Sequence, residues 1–222
     1  SQAIRPTADR LRESVFNILV HAYDDPIEDA RVLDLFAGTG ALGIEAVSRG
    51  AAFTLFVDNG ADARALLRNN VEALGLGGVT KVYRRDATNL GPAHPMEPFS
   101  LAFLDPPYNV KINGHANAKG RHREFAMASG EMSTEQFRAF LADTLGACAR
   151  VSRSGAVHFV CMDWRHMDDV TTSVSDVYAE QLNICVWNKC NAGMGSLYRS
   201  KHEMVFVYRV GTEPHSNHVE LG

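Results

Sequence analysis

Asp34-Leu35-Phe36-Ala37-Gly38-Thr39-Gly40-Ala41-Leu42-Gly43 joins a short apolar run, Arg31 to Leu35, to a segment of helical character from about Ala41 to Arg49, with Gly50 as its stop. A strand, a glycine-rich turn and a helix in that order aim backbone N–H groups at a ligand beside the helix N-terminus. Gly38, Gly40 and Gly43 stand in a G-x-G-x-x-G spacing. Alone that spacing is weak evidence, because several nucleotide-binding folds share it.

The flanking sequence repeats the unit. Phe53 to Val57 reads as a second strand, Ala61 to Leu74 as a helix closed by Gly75, and Val79 to Tyr83 as a third strand. After a Pro-containing loop, Leu101 to Leu104 is an apolar strand that ends at Asp105. Upstream, Thr7 to Tyr23 has helical spacing of Leu11, Val15, Ile18 and Leu19, with Pro6 ahead of it. Tyr108 to Met132 has the texture of a long loop, of a length that loops reach when they are functional or disordered. Ser133 to Gln136 is a capping-box start to a helix reaching about Val151. The spacing then predicts strand 156–161, a helix near 164–173, strand 182–187, a Gly-containing loop 191–200 and strand 204–208. Strands alternating with helices imply an α/β fold, a largely parallel sheet with helices on both faces.

Bulk properties bound the function. The 222 residues suit one α/β domain, residues 1–222. A hydrophobic share of 45% and a charged share of 22% are ordinary for a globular chain. No apolar run approaches the roughly 20 residues of a membrane span, and the first residues lack a signal-peptide core. The expected compartment is therefore the cytoplasm, with no membrane partner. Cys148, Cys161, Cys185 and Cys190 form no C-x-x-C pair and no zinc-like spacing, so reduced thiols and no metal are expected. A net charge of −4 argues against a uniformly basic nucleic-acid binder, leaving any phosphate grip to local patches.

Two acids tilt the glycine turn toward S-adenosylmethionine. Asp34 would attract the ammonium or sulfonium of that cofactor, whereas it would repel a dinucleotide pyrophosphate. Asp58, about twenty residues after Gly38 at the end of the second strand, suits ribose hydroxyls, which either cofactor carries. Asp86, after the third strand, is placed to accept a bond from an adenine amino group. Phe36, Gly38, Gly40 and Ala87 complete the expected cofactor set. The plainer reading of each Asp is a turn or cap residue.

Asp105-Pro106-Pro107-Tyr108 follows the fourth strand at the carboxyl edge, where open α/β sheets bind ligands. An exocyclic base amine is a poor nucleophile because its lone pair is delocalised into the ring. A carboxylate and a backbone carbonyl accepting its two N–H bonds return density to nitrogen. The proline pair stiffens the turn, and Tyr108 offers a face on which an extruded base stacks. All four residues are the expected catalytic group.

Two families meet at this tetrapeptide. Arg5 to Leu19, Asp34 to Gly43, Phe56 to Gly60, Arg84 to Ala87 and Phe103 to Tyr108 resemble RsmD-type 16S ribosomal RNA guanine-N2 methyltransferases, across nearly all of 4–108. Arg121 to Met132, His158 to Met167, Val186 to Lys189 and Gly195 to Glu203 resemble site-specific DNA adenine-N6 or cytosine-N4 methyltransferases, over 105–222. The resemblance implies a Rossmann-like, seven-stranded, S-adenosylmethionine-dependent methyltransferase sheet. Residues 1–108 would be its cofactor-binding half with the catalytic motif. Residues 109–222 would be the substrate-side half, which completes the sheet. The resemblance leads one to expect a basic hairpin before Arg5 for the one family and a downstream recognition segment for the other, neither of which these 222 residues contain. Packing between the two halves is the expected weak point.

Arg5, Arg10 and Arg12, clustered at one end of the first helix, and Lys119, Arg121 and Arg123 in the long loop, are the candidate nucleic-acid contacts. Arg199 and Lys201 flank the last loop and suit a solvated reading better. His158, inside an apolar strand, suits a core histidine, and Trp164 and Trp187 suit packing. The leading expectation is methylation of guanine-N2 in 16S ribosomal RNA, with the small ribosomal subunit as partner. The alternative is DNA adenine-N6 or cytosine-N4, with duplex DNA as partner. A nicotinamide oxidoreductase would leave the tetrapeptide without a role, and an inactive hybrid would keep only the cofactor pocket.

Overall fold

A computed structural model describes residues 16–17, 26–92, 97–110, 128, 130–188 and 201–215. Of the leading helix only Phe16 and Asn17 are described, and both are helical. Strands β1 (Arg31–Leu35), β2 (Phe53–Val57), β3 (Thr80–Tyr83), β4 (Phe99–Leu104), β5 (Ser152–Met162), β6 (Glu180–Asn188) and β7 (His202–Arg209) form one sheet in the order β3-β2-β1-β4-β5-β7-β6. The first five are mutually parallel, and β7 runs antiparallel to both β5 and β6.

Helices α1 (Ala41–Ser48), α2 (Ala61–Ala73), α3 (Thr134–Arg150) and α4 (Met167–Ser173) cover the sheet. Strand alternation decides which face each helix meets. Val32, Leu101, Phe103, Val157, Phe159, Val205 and Val207 point to one face and pack with Leu42 and Ala46 of α1 and with Phe16. On that same face Phe56 packs with Leu67 and Val71 of α2. Leu33, Leu35, Ala102, Leu104, Val160, Met162 and Phe206 point to the other, under Phe137, Leu141 and Leu145 of α3 and Val170 of α4. The predicted capping box at α3 is present: Ser133 Oγ accepts from Gln136 N–H, and the Gln136 side chain accepts from Ser133 N–H at 2.9 Å.

The junction of the two halves, expected to be weak, is packed. β4 pairs with β5 in parallel register, Leu104 opposite Val160, after an irregularity near Phe99 to Leu101. Phe103 of the first half stacks on Phe159 of the second at 5.4 Å and also meets Phe16 at 5.0 Å. One apolar cluster holds Leu35 and Leu104 together with Phe137, Val160 and Phe206, so foreign segments share a single core.

His158 is a core histidine, as the sequence suggested. Ser152 Oγ donates to Cys148 O at 2.9 Å, so it must accept from His158 Nε2–H, and His158 Nδ1 accepts from Tyr178 OH at 2.8 Å. Burial pushes the imidazole pKa down to about 3. Cys148 and Cys161 are buried thiols and Cys185 is half-buried, while Cys190 lies outside the described residues. Trp164 departs from the packing role expected of it: it is 45% exposed, because it stands in a 3₁₀ turn (Trp164–His166) beyond the sheet edge. Trp187 does pack, half-buried, against the α1-side core. No described helix is long and apolar enough to cross a membrane.

Candidate active site

The carboxyl ends of β1, β2, β3 and β4 meet along one edge of the sheet, and the expected site residues fall there. Phe36, Asp58, Asp86 and Ala87 line one cleft together with Val57, Asn59 and Arg85. Phe36 holds the left-handed backbone, φ 63°, that swings the turn away from the strand, and its ring meets Phe140 of α3 at 6.2 Å.

Each acid is anchored by the loops it joins. Asp58 Oδ2 accepts from Gly38 N–H at 2.9 Å and Oδ1 from Gly60 N–H at 2.7 Å, which ties the glycine turn to the end of β2. Asp34 is 2% exposed, and its Oδ2 accepts from Gly43 N–H at 2.8 Å. Burial pushes its pKa up to about 8; the Gly43 bond opposes the rise, while the charges of Asp105 and Asp58 add to it. Asp86 is exposed, and its Oδ1 accepts from Thr88 N–H and Thr88 OH, shaping the turn after β3.

The glycines are sterically required. Gly40 has φ +80°, and a Cβ there would collide with Leu67 of α2. At Gly43 a Cβ would collide with Phe56 and lie 2.7 Å from Thr54 Cγ2 and 3.0 Å from Asp34 Oδ2. The turn thus lies tight against β2.

Asp105 and Tyr108 leave the end of β4 next to this turn, with Pro106 and Pro107 buried between them. Tyr108 OH donates to Asp105 Oδ1 at 2.8 Å. Burial, with the charge of Asp105 beside it, holds the phenol pKa well above its ordinary value, so it is a donor at neutral pH. Cys161 on neighbouring β5 is a buried thiol, raised first by burial and then by Asp105, Glu203 and Asp34. Each of those three acids thus lies within electrostatic reach of Cys161. Glu203 is the second residue of β7 and is half-buried.

Asn109, which sequence reasoning passed over, ties the residue after the tetrapeptide to Gly130 and Met132. At φ 52° its Oδ1 accepts from Gly130 N–H (3.0 Å) and Met132 N–H (3.2 Å), while Nδ2 donates to Met132 O at 3.0 Å. Its place after the tetrapeptide was the available signal, since Asn tolerates that backbone and bonds locally. Asn59 and Arg85 were likewise missed, although they adjoin Asp58 and Asp86. Arg5, Arg10, Arg12, Lys119, Arg121, Arg123 and Arg199 lie outside the described residues, and Lys201 is exposed. Among the described residues no group of three or more His, Cys, Asp or Glu is arranged to hold a metal ion.

Two family models match the chain, conserved hypothetical protein 95 over residues 1–131 and DNA methylase over residues 99–221. The chain belongs to both families. Their overlap contains β4 and the Asp105–Tyr108 motif, which is where the sequence resemblance changes over. The Bacillus subtilis protein YlbH is 44% identical over 106 residues, 47% of this chain and 55% of that one. Ribosomal RNA small subunit methyltransferase D of Escherichia coli K12 is 38% identical over 108 residues, 49% of this chain and 52% of its own. The chain thus spans about half the length of the curated relatives it matches. Among solved structures, the Escherichia coli protein yhhF superposes with TM-score 0.55 at 22% identity, over 94% of this chain and 89% of that one. This likeness extends through both halves and assigns the fold, a Rossmann-like methyltransferase sheet.

Proposed function

We propose that the chain transfers the methyl group of S-adenosylmethionine to an exocyclic amino group of a nucleic-acid base. The observation that carries this reading is one sheet edge on which the cleft of Phe36, Asp58, Asp86 and Ala87 adjoins Asp105 and Tyr108. The cleft chemistry fits the cofactor: apolar Phe36, Val57 and Ala87 suit an adenine face, and two carboxylates suit ribose hydroxyls and an amino group. Bound there, S-adenosylmethionine supplies an electrophilic methyl carbon on a sulfonium.

Asp58 would hold the ribose, Asp86 the adenine amino group, and the turn from Phe36 through Gly38 to Gly40 the methionyl end. Asp34 would face the cofactor's ammonium through the closed turn. Asp105 and the Pro106 carbonyl would accept the target amine's N–H bonds and orient its lone pair. As the N–C bond forms and the sulfonium–methyl bond breaks to leave the thioether, the methylated amine would give up one proton, by way of Asp105, to solvent. Pro107 keeps the turn stiff, and Tyr108 stacks on the base.

The finer reading favours guanine-N2 of 16S ribosomal RNA, on the small subunit and in the cytoplasm, because the cofactor turn and β4 resemble that family. Arg5, Arg10, Arg12, Lys119, Arg121 and Arg123 would contact phosphates. A second reading, DNA adenine-N6 or cytosine-N4, is favoured by the DNA methylase match over 99–221. The test is incubation with labelled cofactor and either 30S subunits or duplex DNA, followed by identification of the methylated nucleoside. N2-methylguanine is expected; N6-methyladenine or N4-methylcytosine would replace the first reading by the second. Asp105→Asn should lower turnover about 100- to 10,000-fold while cofactor affinity is kept. Unchanged turnover would remove Asp105 from the reaction.

A further inference from the structure

Beyond the end of β5 the chain builds a surface that neither the cofactor cleft nor the Asp105–Tyr108 turn uses. Asp163 caps the 3₁₀ turn, its Oδ1 accepting from Arg165 N–H at 3.1 Å and His166 N–H at 3.2 Å. Its Oδ2 also pairs with Arg165 NH1 at 3.2 Å, and this lays the guanidinium 4.9 Å from the centre of the Trp164 ring. His166 is held in turn: Nδ1 bonds Asp169 Oδ2 at 2.9 Å, and the ring meets Phe137 edge-on at 4.9 Å. Arg138 of α3 ties Asp168 and Asp169 of α4 at 2.6 and 2.7 Å. The indole therefore stands on a rigid base, with a cation beside one face and 45% of the residue exposed. Met167, 42% exposed, extends the apolar surface along α4.

The position of this ledge relates it to the reaction centre. Val160 is opposite Leu104 in the parallel β4–β5 pair, so Asp105–Tyr108 and Asp163–Trp164 leave neighbouring strands at the same edge. An exposed large aromatic at such an edge costs solvation without adding to the core. The acids around it, Asp163, Asp168 and Asp169, share two guanidiniums, Arg165 and Arg138, which leaves a net of one negative charge, so the surface offers a strand its aromatic face rather than a positive field.

We propose that Trp164, backed by Arg165, is a stacking ledge for the nucleotide next to the extruded target base. The proposal rests on the nucleic-acid reading above and adds the residue that holds the neighbouring part of the strand. Drawing one base out against Tyr108 leaves its neighbour without a stacking partner. The indole replaces that partner, whatever the base, because every base has a π-face. The cation beside the indole lies where it can meet the adjoining phosphate.

The test uses the whole chain and a fluorescein-labelled, mixed-sequence single-stranded RNA of about 12 nucleotides. Titration should quench tryptophan emission in the wild type and leave it unquenched in Trp164→Phe, whose unlike fluorophore reports only Trp187. Trp164→Ala should weaken the anisotropy-measured affinity about 5- to 100-fold, and Trp164→Phe should restore most of it. Cofactor affinity and the urea midpoint should stay at wild-type values in both. RNA binding that leaves Trp164 emission and Trp164→Ala affinity unchanged would overturn the ledge while leaving the nucleic-acid reading standing. A wild type that binds neither this RNA nor the same sequence as DNA would overturn both. Sedimentation showing a dimer that Trp164→Ala dissociates, with RNA affinity unchanged, would assign the surface to a second copy and overturn the ledge.

Discussion

Asp34 is a carboxyl group in a place that does not welcome charge. It is enclosed on the α1 face, accepts from Gly43, and shares its surroundings with Asp58 and Asp105, so it keeps its proton up to about pH 8. A cofactor ammonium brought near it would favour the carboxylate and expel that proton. Cofactor binding at pH 7 should then release close to one proton, and affinity should rise with pH until about 8. Calorimetry at pH 7 in phosphate and in Tris measures this directly, because the two buffers take up protons with different heats. A binding enthalpy that is the same in both buffers would place the ammonium away from Asp34. The motif made this acid visible in the sequence. Its burial and its bond to Gly43 were not, since both depend on how α1 lies on β2.

Among the elements, the glycine turn shows how a local pattern acquires a reason from packing. Ala is the better helix former, and Gly43 lies inside the first turn of α1, so propensity alone favours Gly43→Ala. The sheet reverses that expectation, because the added Cβ meets Phe56 and Thr54 of β2 in a closed core. Gly43→Ala should cost about 1–3 kcal/mol, lower Tm by several degrees and weaken cofactor affinity through the displaced turn. Scanning calorimetry checks the first effect, and an unchanged or raised Tm would mean that Phe56 gives way freely. The helix starts, the capping box and the strand cores were readable, since each reflects nearby residues and a period of 3.6 or 2. The ends of the later strands, β4 to β7, were read short. β5 runs from Ser152 to Met162 where the sequence showed 156–161, because Ser152 pairs with Phe99 and Met162 with Met204, partners that periodicity does not register.

At the scale of the whole molecule, two ancestries share one sheet, and β4 against β5 is the line along which they join. Phe103 on Phe159, and Leu35 and Leu104 beneath Phe137 and Phe206, give neither half a complete core of its own. We propose that residues 1–222 unfold as one unit, so that urea unfolding shows a single transition by both tryptophan emission and circular dichroism. Two groups shape its pH dependence. His158 binds a proton when unfolded but not when folded between about pH 3 and 6.5, so its contribution is lost as pH falls through that window. Asp34 binds one when folded but not when unfolded between 3.8 and about 8, so its contribution is lost as pH rises. Between 3.8 and 6.5 the two slopes oppose and cancel. Above 6.5 the Asp34 slope stands alone, at about 1.4 kcal/mol per pH unit. From these two groups stability is flat in mildly acidic solution and falls toward pH 8, and Asp34→Asn should flatten the alkaline arm. An arm equally steep in Asp34→Asn would assign it to other groups.

By itself the sequence determined the α/β class, the glycine turn, the four acids at strand ends and the change of family at Asp105–Tyr108, because each is written in adjacent residues or a short period. Only the tertiary structure decided that foreign halves close over one core, that Asp34 holds the turn from within, that Asn109 bonds to Gly130 and Met132 and that Trp164 stands exposed. Those outcomes depend on which residues from distant strands arrive at the same edge. Side-chain volume, charge and hydrogen bonds act across that edge only after the sheet has formed.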